Sequence, residues 1–450
     1  MIQTFVNAWK VQELRKKILF TLMIVLLYRI GANLFIPYVD VSQVETYSNY
    51  FSNGIFGMLS IMSGSAFSQG TFFALGVSPY ITASIVIQLL SIAIPALERL
   101  SKDEEGKKKL TAATRWVTVA LAIITAYGYV NIISGDLNGD EIRGDGVTFG
   151  DSNEVLAWFV MIACLCAGAS MIMWLAEKIN EHGIGNGISM ILFANIISGM
   201  TGTVQNTIGM LQDSNVLGEW KTGWDLVLGI VGVIASIALT LAAIVLIVWF
   251  TNSERRIKVI YAKKVVGRKM YGGQKTNLPL KMNMAGVMPV IFASSIVSIP
   301  ATIAVFLPGT GFATFVNDWL GATSPIYIIV YIALIVAFSY FYIAISFNPV
   351  EVANNIRNNG GAIIGIRPQE MAPFIKKILN RVTLMGAIFL VIIAGAPLIV
   401  NAIVSLIPGA SFDSLAFTGT SLLIVVGVAL ETVRDLEAQL SMRNYKGFLD

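Results

Sequence analysis

Long apolar segments constrain the fold of this sequence more than any other feature. A helix that crosses a hydrocarbon core of about 30 Å needs about 20 mostly apolar residues. Ten windows meet this requirement, over residues 18–36, 73–97, 112–134, 154–176, 184–203, 225–250, 284–307, 325–347, 382–404 and 416–434. Charged residues make up only 13% of the chain, whereas roughly a quarter is usual for a soluble domain. We therefore expect an all-α polytopic membrane protein with ten transmembrane helices.

The positive charges divide the connections between these windows into two alternating sets. Cytosolic loops retain Lys and Arg, whereas short translocated loops lack them. One set holds 4, 5, 1, 9, 5 and 3 basic residues, in the N-terminus, residues 98–111, 177–183, 251–283, 348–381 and the tail counted from Arg434. The opposite set holds only Arg143 and Lys221, while Arg29 and Arg115 lie within or at the edge of a window. The alternation predicts that both termini are cytosolic.

The ten windows fall into two groups of five around the translocated connection at residues 204–224. An odd number of helices in each group means that the two halves enter the membrane from opposite sides. Inverted repeats of this kind build a central pathway in many transporters. We predict an N-terminal half over residues 1–203, an external hinge loop over 204–224, a C-terminal half over 225–437 and a cytosolic tail over 438–450.

A segment rich in Gly and Ser, residues 57–72, precedes the second window and is too short to form a comfortable lipid-facing span. Irregular backbone at membrane depth must be enclosed by protein or line a water-filled space. Two interpretations stay open: a re-entrant element, or an external loop with one helical turn. Pro79 follows early in the next helix, where a missing amide hydrogen is tolerated or produces a kink.

Two cytosolic connections, residues 251–283 and 348–381, are longer and more polar than the others. Structureless loops of this length are usually functional. Glu254 is the only acid in the first connection, which carries nine basic residues: Arg255, Arg256, Lys258, Lys263, Lys264, Arg268, Lys269, Lys275 and Lys281. Such a field suits RNA or an acidic protein, although membrane topology alone also demands positive charge here. The length of the connection favours docking.

Residues suited to catalysis or cofactor binding are scarce. The chain has one histidine, His182, and two cysteines, Cys164 and Cys166, which point to different faces of a helix. Neither a metal cluster nor a disulfide is expected from this set. The glycines of residues 183–193 miss the dinucleotide-loop spacing, and no Walker loop occurs. We expect no cofactor and no enzymatic activity, so energy must come from a partner or a gradient.

An ion-coupled secondary transporter is the main alternative, because that class also combines inverted repeats with broken helices. An intramembrane enzyme is the second alternative and would need a nucleophile with a nearby base. Ion coupling usually places acidic residues within the membrane. All 27 acidic residues fall in connections or near the ends of the windows, and no lysine lies deep in a window. The sequence therefore favours a passive pore.

Six segments in order resemble the SecY family, the central pore subunits of the bacterial Sec protein translocon: FALGVSPYITASIVIQLL, HGIGNGIS, LPLKMNMAGVMPVIFASS, FNPVEVANN, GIRPQE and GTSLLIV. The resemblance covers essentially the whole chain. It implies a channel with an hourglass-shaped pore in the bacterial plasma membrane, which translocates unfolded secretory polypeptides and releases hydrophobic segments sideways into lipid. It also implies the SecE and SecG subunits, the SecA motor ATPase, the ribosome and signal-sequence-bearing polypeptides as partners.

The resemblance further assigns candidate site residues. The aliphatic ring that seals the family's pore falls by motif position on Val77, Ile81, Leu192, Ile291 and Ile424. A plug beneath the ring falls on residues 60–72, with Ser63, Gly64, Ser65, Ala66, Phe67 and Ser68 at its centre. Aliphatic rings exclude water while making no fixed hydrogen bonds to a passing chain.

The resemblance also places a lateral gate between the helices that begin near residues 73 and 284. The polar gate residues are Gln88, Ser294 and Ser295, which can hydrogen-bond across the gate or, for the serines, within their own helix. Arg255, Arg256 and Arg367 fall in the loops on which the motor or the ribosome docks.

Overall fold

The computed structural model describes residues 2–39, 63–64, 66–133, 154–212, 238, 240–261, 264–266, 269–271, 275–306, 310–321, 324–404 and 419–446. This part of the chain is mostly helical, and each of the ten apolar windows contains a helix. By length and composition, four described helical stretches are suited to cross a membrane: Glu104–Asn131, Val155–His182, Pro325–Asn358 and Met371–Ile399. A fifth is obtained if a sharply bent pair of helices counts as one span.

The first part of the chain forms seven described helices. They are α1 (Ile2–Lys10), α2 (Gln12–Gly31), α3 (Ser78–Ala93), α4 (Pro95–Lys102), α5 (Glu104–Ile133), α6 (Glu154–His182) and α7 (Gly187–Gln212). Pro79 lies in the first turn of α3, as predicted. Between α3 and α4 the chain bends by 112°, because Ile94 adopts an extended conformation before Pro95, as the residue before a proline tends to do.

The second part of the chain also forms seven described helices. They are α8 (Thr240–Asn252), α9 (Met288–Phe306), α10 (Gly311–Trp319), α11 (Pro325–Ser346), α12 (Pro349–Asn358), α13 (Met371–Val404) and α14 (Gly419–Lys446). Side-chain caps fix two of the starts. Ser324 Oγ accepts the Tyr327 amide at α11, and Asn348 Oδ1 accepts two amides at α12, which satisfies donors that have no partner within the helix.

The two polar connections contain five short strands: β1 (Glu254–Tyr261), β2 (Lys264–Val266), β3 (Lys269–Tyr271), β4 (Lys275–Lys281) and β5 (Gly361–Ile363). β1 pairs antiparallel with β4 and with β5, and β2 pairs with β3. The register sets Val259 opposite Ile363. The two connections are therefore not the structureless loops that we expected. They share a sheet whose apolar face packs on α12 and α13 through Ala353, Ile356, Met371 and Ile375.

Most of the buried apolar side chains belong to two clusters. The larger cluster joins residues of α2, α3, α6, α7, α8, α9, α11, α13 and α14, and the smaller one joins α5 and α6 to the segment before α3. Large apolar side chains such as Leu26, Phe159 and Trp249 are exposed on the outside of the helices. Such surfaces are unusual in soluble proteins and suit contact with lipid.

Several predicted boundaries differ from those of the structure. α2 spans Gln12–Gly31 rather than residues 18–36, and α13 begins at Met371 rather than at 382. Residues 204–212 of the predicted hinge loop belong to α7, and residues 438–446 of the predicted tail belong to α14. Hydropathy marks only the lipid-immersed part of a helix, whereas helical hydrogen bonding continues into polar surroundings. The rest of the hinge loop lies outside the described residues.

Candidate pore constriction and its surroundings

The five aliphatic residues assigned to the ring all lie in the larger core cluster: Val77, Ile81, Leu192, Ile291 and Ile424. Each is only 1–3% exposed. They come from the start of α3, from α7, from α9 and from α14, so both predicted halves contribute. The structure thus collects them in the interior and away from the lipid-exposed surface.

Local structure explains how α3 presents two of these residues. Val77 is the residue at which α3 begins, and its carbonyl accepts the amide hydrogen of Ile81 at 3.0 Å. Residues four apart lie on one face of a helix. The side chains of Val77 and Ile81 therefore share one apolar face at the end of the helix, and this face is directed into the core.

The described part of the predicted plug is enclosed by protein. Ser63, Gly64, Ala66, Phe67 and Ser68 are buried, whereas Ser65 and residues 60–62 lie outside the described residues. Ala66 belongs to the cluster that contains the ring, and Phe67 belongs to the smaller cluster. The segment therefore packs against both clusters and occupies the space between them.

Hydrogen bonds from α2, from α5 and from within the segment itself satisfy three of its carbonyl groups. Tyr129 Oη on α5 donates to the Phe67 carbonyl at 2.5 Å, and Thr71 Oγ1 donates to the Ala66 carbonyl at 3.1 Å. Arg29 Nη1 on α2 lies 3.4 Å from the Gly64 carbonyl. Buried carbonyl groups need such donors because they have lost water. α2 and α5 thus hold the backbone of the segment in place.

Gly64 allows a close approach between this segment and α7. Its φ is +65°, and a Cβ atom at this position would lie 2.9 Å from the carbonyl oxygen of Asn195. Glycine avoids both the strain of the left-handed conformation and the clash.

No sequence motif identified Tyr129 as a donor to this segment. Arg29 was conspicuous as the only basic residue well inside a window, yet no partner for its guanidinium group was predicted. Basic residues within the membrane pair with acidic residues or with backbone carbonyl groups. This tendency marks Arg29 as a candidate but does not identify its partner.

The helices assigned to the lateral gate are neighbours in the structure. α9 contacts both α3 and α5. α3 and α9 begin at Ser78 and Met288, later than the expected residues 73 and 284. Gly76 and Gly286 have positive φ angles, which do not fit a right-handed helix. Each helix therefore begins only after its glycine.

The polar gate residues bond within their own helices. Ser294 Oγ and Ser295 Oγ both donate to the Ile291 carbonyl, at 2.9 and 2.8 Å. Gln88 is exposed, and its amide group lies 3.4 Å from Ser84 Oγ on the same helix. Of the two possibilities left open for the serines, the structure shows the intrahelical bond. It places Gln88 on the outside of α3.

The three arginines assigned to docking are exposed on one structural unit. Arg255 and Arg256 lie on β1, and Arg367 lies in the turn that follows β5. Because β1 pairs with β5, the sheet brings the two polar connections side by side. Arg256 Nε lies 3.7 Å from Glu254 Oε2, and an exposed pair at this separation is weak. The arginines therefore remain accessible to an anionic partner surface.

Comparison with known proteins gives a consistent result. The SecY family model matches residues 71–433. The protein translocase subunit SecY of Streptomyces galbus is 43% identical over 456 residues, which covers 100% of both chains. The fold is similar to a solved structure of a SecY protein, with a TM-score of 0.63 at 19% identity and coverage of 94% of this chain and 92% of that one. That structure is described as showing that the plug domain stabilises the closed state of the translocation channel.

A second solved structure is Sec61 in the canine ribosome–channel complex from the endoplasmic reticulum. Its TM-score is 0.55 at 18% identity, with coverage of 94% of this chain and 92% of that chain. At such low identity the two structural matches show a shared fold alone.

Proposed function

The chain belongs to the SecY family of protein translocase subunits, and from this premise we propose that its five buried aliphatic residues seal a polypeptide-conducting pore. It is a multi-pass membrane protein and the protein-conducting channel subunit of a translocase. Its function is to pass unfolded secretory polypeptides across the membrane and to release hydrophobic segments into lipid.

The observation that carries the proposed seal is the burial of ring residues from both halves in one apolar cluster. An aliphatic constriction excludes water, so ions cannot cross while it is closed. It also offers no fixed hydrogen-bond partner, so polypeptides of any composition can slide through it. These two properties are the ones that a channel for varied sequences requires.

We also propose that residues 60–72 act as the plug of this pore. Two observations support the assignment: the burial of the segment beside the ring cluster, and the carbonyl groups held by α2 and α5. We assign the contact between α3 and α9 as the lateral exit, because parting these two helices would open the core cluster towards lipid.

The wider architecture and the partners belong to the same proposal. Ten membrane crossings in two inverted halves around an hourglass pore agree with the alternation of positive charge, and this alternation supports two cytosolic termini in a bacterial plasma membrane. The ribosome is a fitting partner for the exposed arginines of the sheet, since the canine relative is bound to one. SecE, SecG and the SecA motor are expected partners by family membership.

Site-specific crosslinking tests the proposed ring. With SecE present, a stalled secretory chain should react with photoprobes at Ile81 and Ile291, because these side chains would line the path. Probes at Leu90 on α3 and Ile303 on α9, which are 38% and 44% exposed and face outward, provide matched controls and should react with lipid instead. Equal labelling of buried and exposed positions by the polypeptide would contradict the ring assignment.

A further inference from the structure

The cytosolic end of α14 is bonded to the base of the sheet that carries the docking arginines. Arg434 Nη2 donates to the Thr251 carbonyl and to Asn252 Oδ1, both at 2.8 Å. These two residues end α8, and the next residue, Ser253, accepts the Met282 amide at 2.9 Å. We call β1 and β4 with this closing bond the docking hairpin. Arg434 thus satisfies a helix-terminal carbonyl and fixes the point where the docking hairpin leaves α8.

The next residue of α14 is bonded to the opposite half of the chain. Asp435 Oδ2 accepts the Gly185 amide at 3.1 Å. Gly185 belongs to the α6–α7 link, residues 183–186, and has a φ of +74°, which a residue with a side chain would adopt only under strain. A Cβ atom on Gly185 would lie 3.2 Å from Thr432 Oγ1. The α6–α7 link therefore lies directly against α14.

Further contacts from α2, α6 and α14 hold the same link in place. Thr21 Oγ1 on α2 accepts the Ile184 amide at 3.1 Å. The side chain of Ile184 is buried in a small cluster with Leu14 and Leu436. Gly187, directly after the link, donates its amide to Asn180 Oδ1 at 2.7 Å. The α6–α7 link is thus a tightly held turn, and its position is defined by α2 and α14 together.

Consecutive residues of a helix project about 100° apart, so Arg434 and Asp435 reach neighbours on different sides of α14. We propose that these two residues couple the docking hairpin to the pore, one contacting each half of the chain. α14 carries the ring residue Ile424, and α7, which begins just after the link, carries Leu192. A displacement of the docking hairpin is passed to both ring helices through this pair. The inference rests on the proposed docking and ring functions.

A variant that loses channel opening but keeps partner binding distinguishes coupling from a general effect on folding. The docking arginines are distant in sequence from α14 and exposed, so removing Arg434 or Asp435 leaves the binding surface intact. Opening, in contrast, requires that the hairpin displace α14 and the α6–α7 link together. The variants R434M and D435A remove the bonding groups, whereas R434K keeps a cation within reach of the same carbonyl.

The first experiment uses the complete channel complex in vesicles and ribosomes that carry a stalled secretory chain. We expect unchanged ribosome affinity in R434M and D435A. Nascent-chain insertion, measured by protease protection, should fall by about fivefold, which corresponds to about 1 kcal/mol of lost hydrogen bonding. R434K should retain most of the insertion. E437A is the matched control, because Glu437 lies on the same helix but accepts the Thr4 hydroxyl, and it should insert chains normally.

Insertion at the wild-type level in R434M and D435A would overturn the inference, and so would a loss of ribosome affinity that matches the loss of insertion. Failure of the wild-type channel itself to insert chains would contradict the proposed function instead.

A second measurement does not depend on conduction. Spin labels at the exposed positions Lys258 and Glu181, with Cys164 and Cys166 replaced by Ala, report the distance between the docking hairpin and the end of α6, next to the α6–α7 link. The distance distribution should broaden in R434M and D435A but not in E437A. An unchanged distribution in both variants would overturn the inference.

Discussion

Side chains hold the backbone of the proposed plug segment, Arg29 and Tyr129 from outside it and Thr71 from within it. Arg29, Thr71 and Tyr129 donate to three carbonyl groups between residues 64 and 67. Each hydrogen bond contributes only about 0.5–1.5 kcal/mol net, because water can replace the donor when the carbonyl becomes solvated. A segment held in this way is stable in a dry, closed channel and loses little free energy on moving into a water-filled one. This property suits an element that must move reversibly.

The hydroxyl group of Tyr129 provides a test at this scale. Y129F removes the donor to the Phe67 carbonyl and retains the aromatic ring, whose centroid lies 4.9 Å from that of Phe67. A buried carbonyl left without this donor costs about 1–3 kcal/mol, so we expect the ion leak of the resting channel in planar bilayers to rise by about tenfold.

Tyr127 offers a matched control for this substitution. It lies on the same helix, is exposed, and its ring packs on Trp158. Y127F should leave the leak at the wild-type level. Equal leaks in Y129F and Y127F would show that the Tyr129 hydroxyl group does not hold the plug closed.

The sequence identified candidate residues within recognised motifs but not those that lie outside them. Val77, Ile81 and the other ring positions are indistinguishable from ordinary core residues by hydropathy, and only their place within motifs singled them out. Tyr129 and Asp435 lie outside every recognised motif, and their roles depend on partners more than sixty residues away in the chain, namely Phe67 and Gly185. Long-range hydrogen bonds of this kind leave no local pattern, so the structure was needed to find them.

Secondary-structure elements were predicted well where they are long and apolar. Each predicted window contains a helix, since about 20 apolar residues in lipid have no alternative that satisfies the backbone. The short helices α1, α4, α10 and α12 were not predicted, because a search for apolar windows passes over helices that are mostly polar or short. The break at Ile94 was readable from Pro95 but was overlooked.

The sheet of the two polar connections was missed for a different reason. β1 reads ERRIKVIY, in which Ile257 and Val259 alternate with polar residues and are buried. This alternation is typical of a half-buried strand, but the connection was interpreted as a polar loop because of its high charge. Its pairing with β5, from the other connection, is not readable from local sequence. The sheet joins the two polar connections into one structural unit.

Arg367 tests the docking role of this element. R367E reverses an exposed charge in the turn after β5, so the free energy of unfolding should change little. If an anionic partner binds here, repulsion should reduce motor-driven export into inverted vesicles by about tenfold, while the amount of membrane-inserted protein stays constant.

The control for this substitution is R99E, which reverses an exposed charge in a different connection that is predicted to be cytosolic. Export should be normal in R99E. Normal export in R367E as well would remove Arg367 from the docking surface.

At the scale of the whole molecule, the core and the proposed seal are the same structure. The larger cluster that holds the helices together contains the proposed ring residues from both predicted halves. Helices in lipid are held by packing and hydrogen bonds more than by the hydrophobic effect, because lipid is as apolar as the core. Separation of the halves therefore costs less than it would in water, which permits a core that opens for a passing chain.

The distribution of positive charge predicts the orientation of the chain in the membrane. Residues 251–283 carry nine basic residues, whereas residues 308–324 carry none, and the single helix α9 lies between these segments. The positive-inside rule then predicts that they face opposite sides of the membrane. Single cysteines at Lys258 and Gly311, in a chain whose Cys164 and Cys166 are replaced by Ala, test this prediction. Both positions are exposed, and a Cβ atom at Gly311 meets open space.

In inverted plasma-membrane vesicles, a membrane-impermeant maleimide should label Lys258→Cys at once and Gly311→Cys only after detergent is added. Equal labelling of the two in detergent shows that both thiols are reactive. Labelling of both in intact vesicles would place the two segments on one side, so that α9 does not cross the membrane. The second half would then contain four crossings instead of five, so it could not be an inverted copy of the first half, and the central pore that depends on this relation would be wrong.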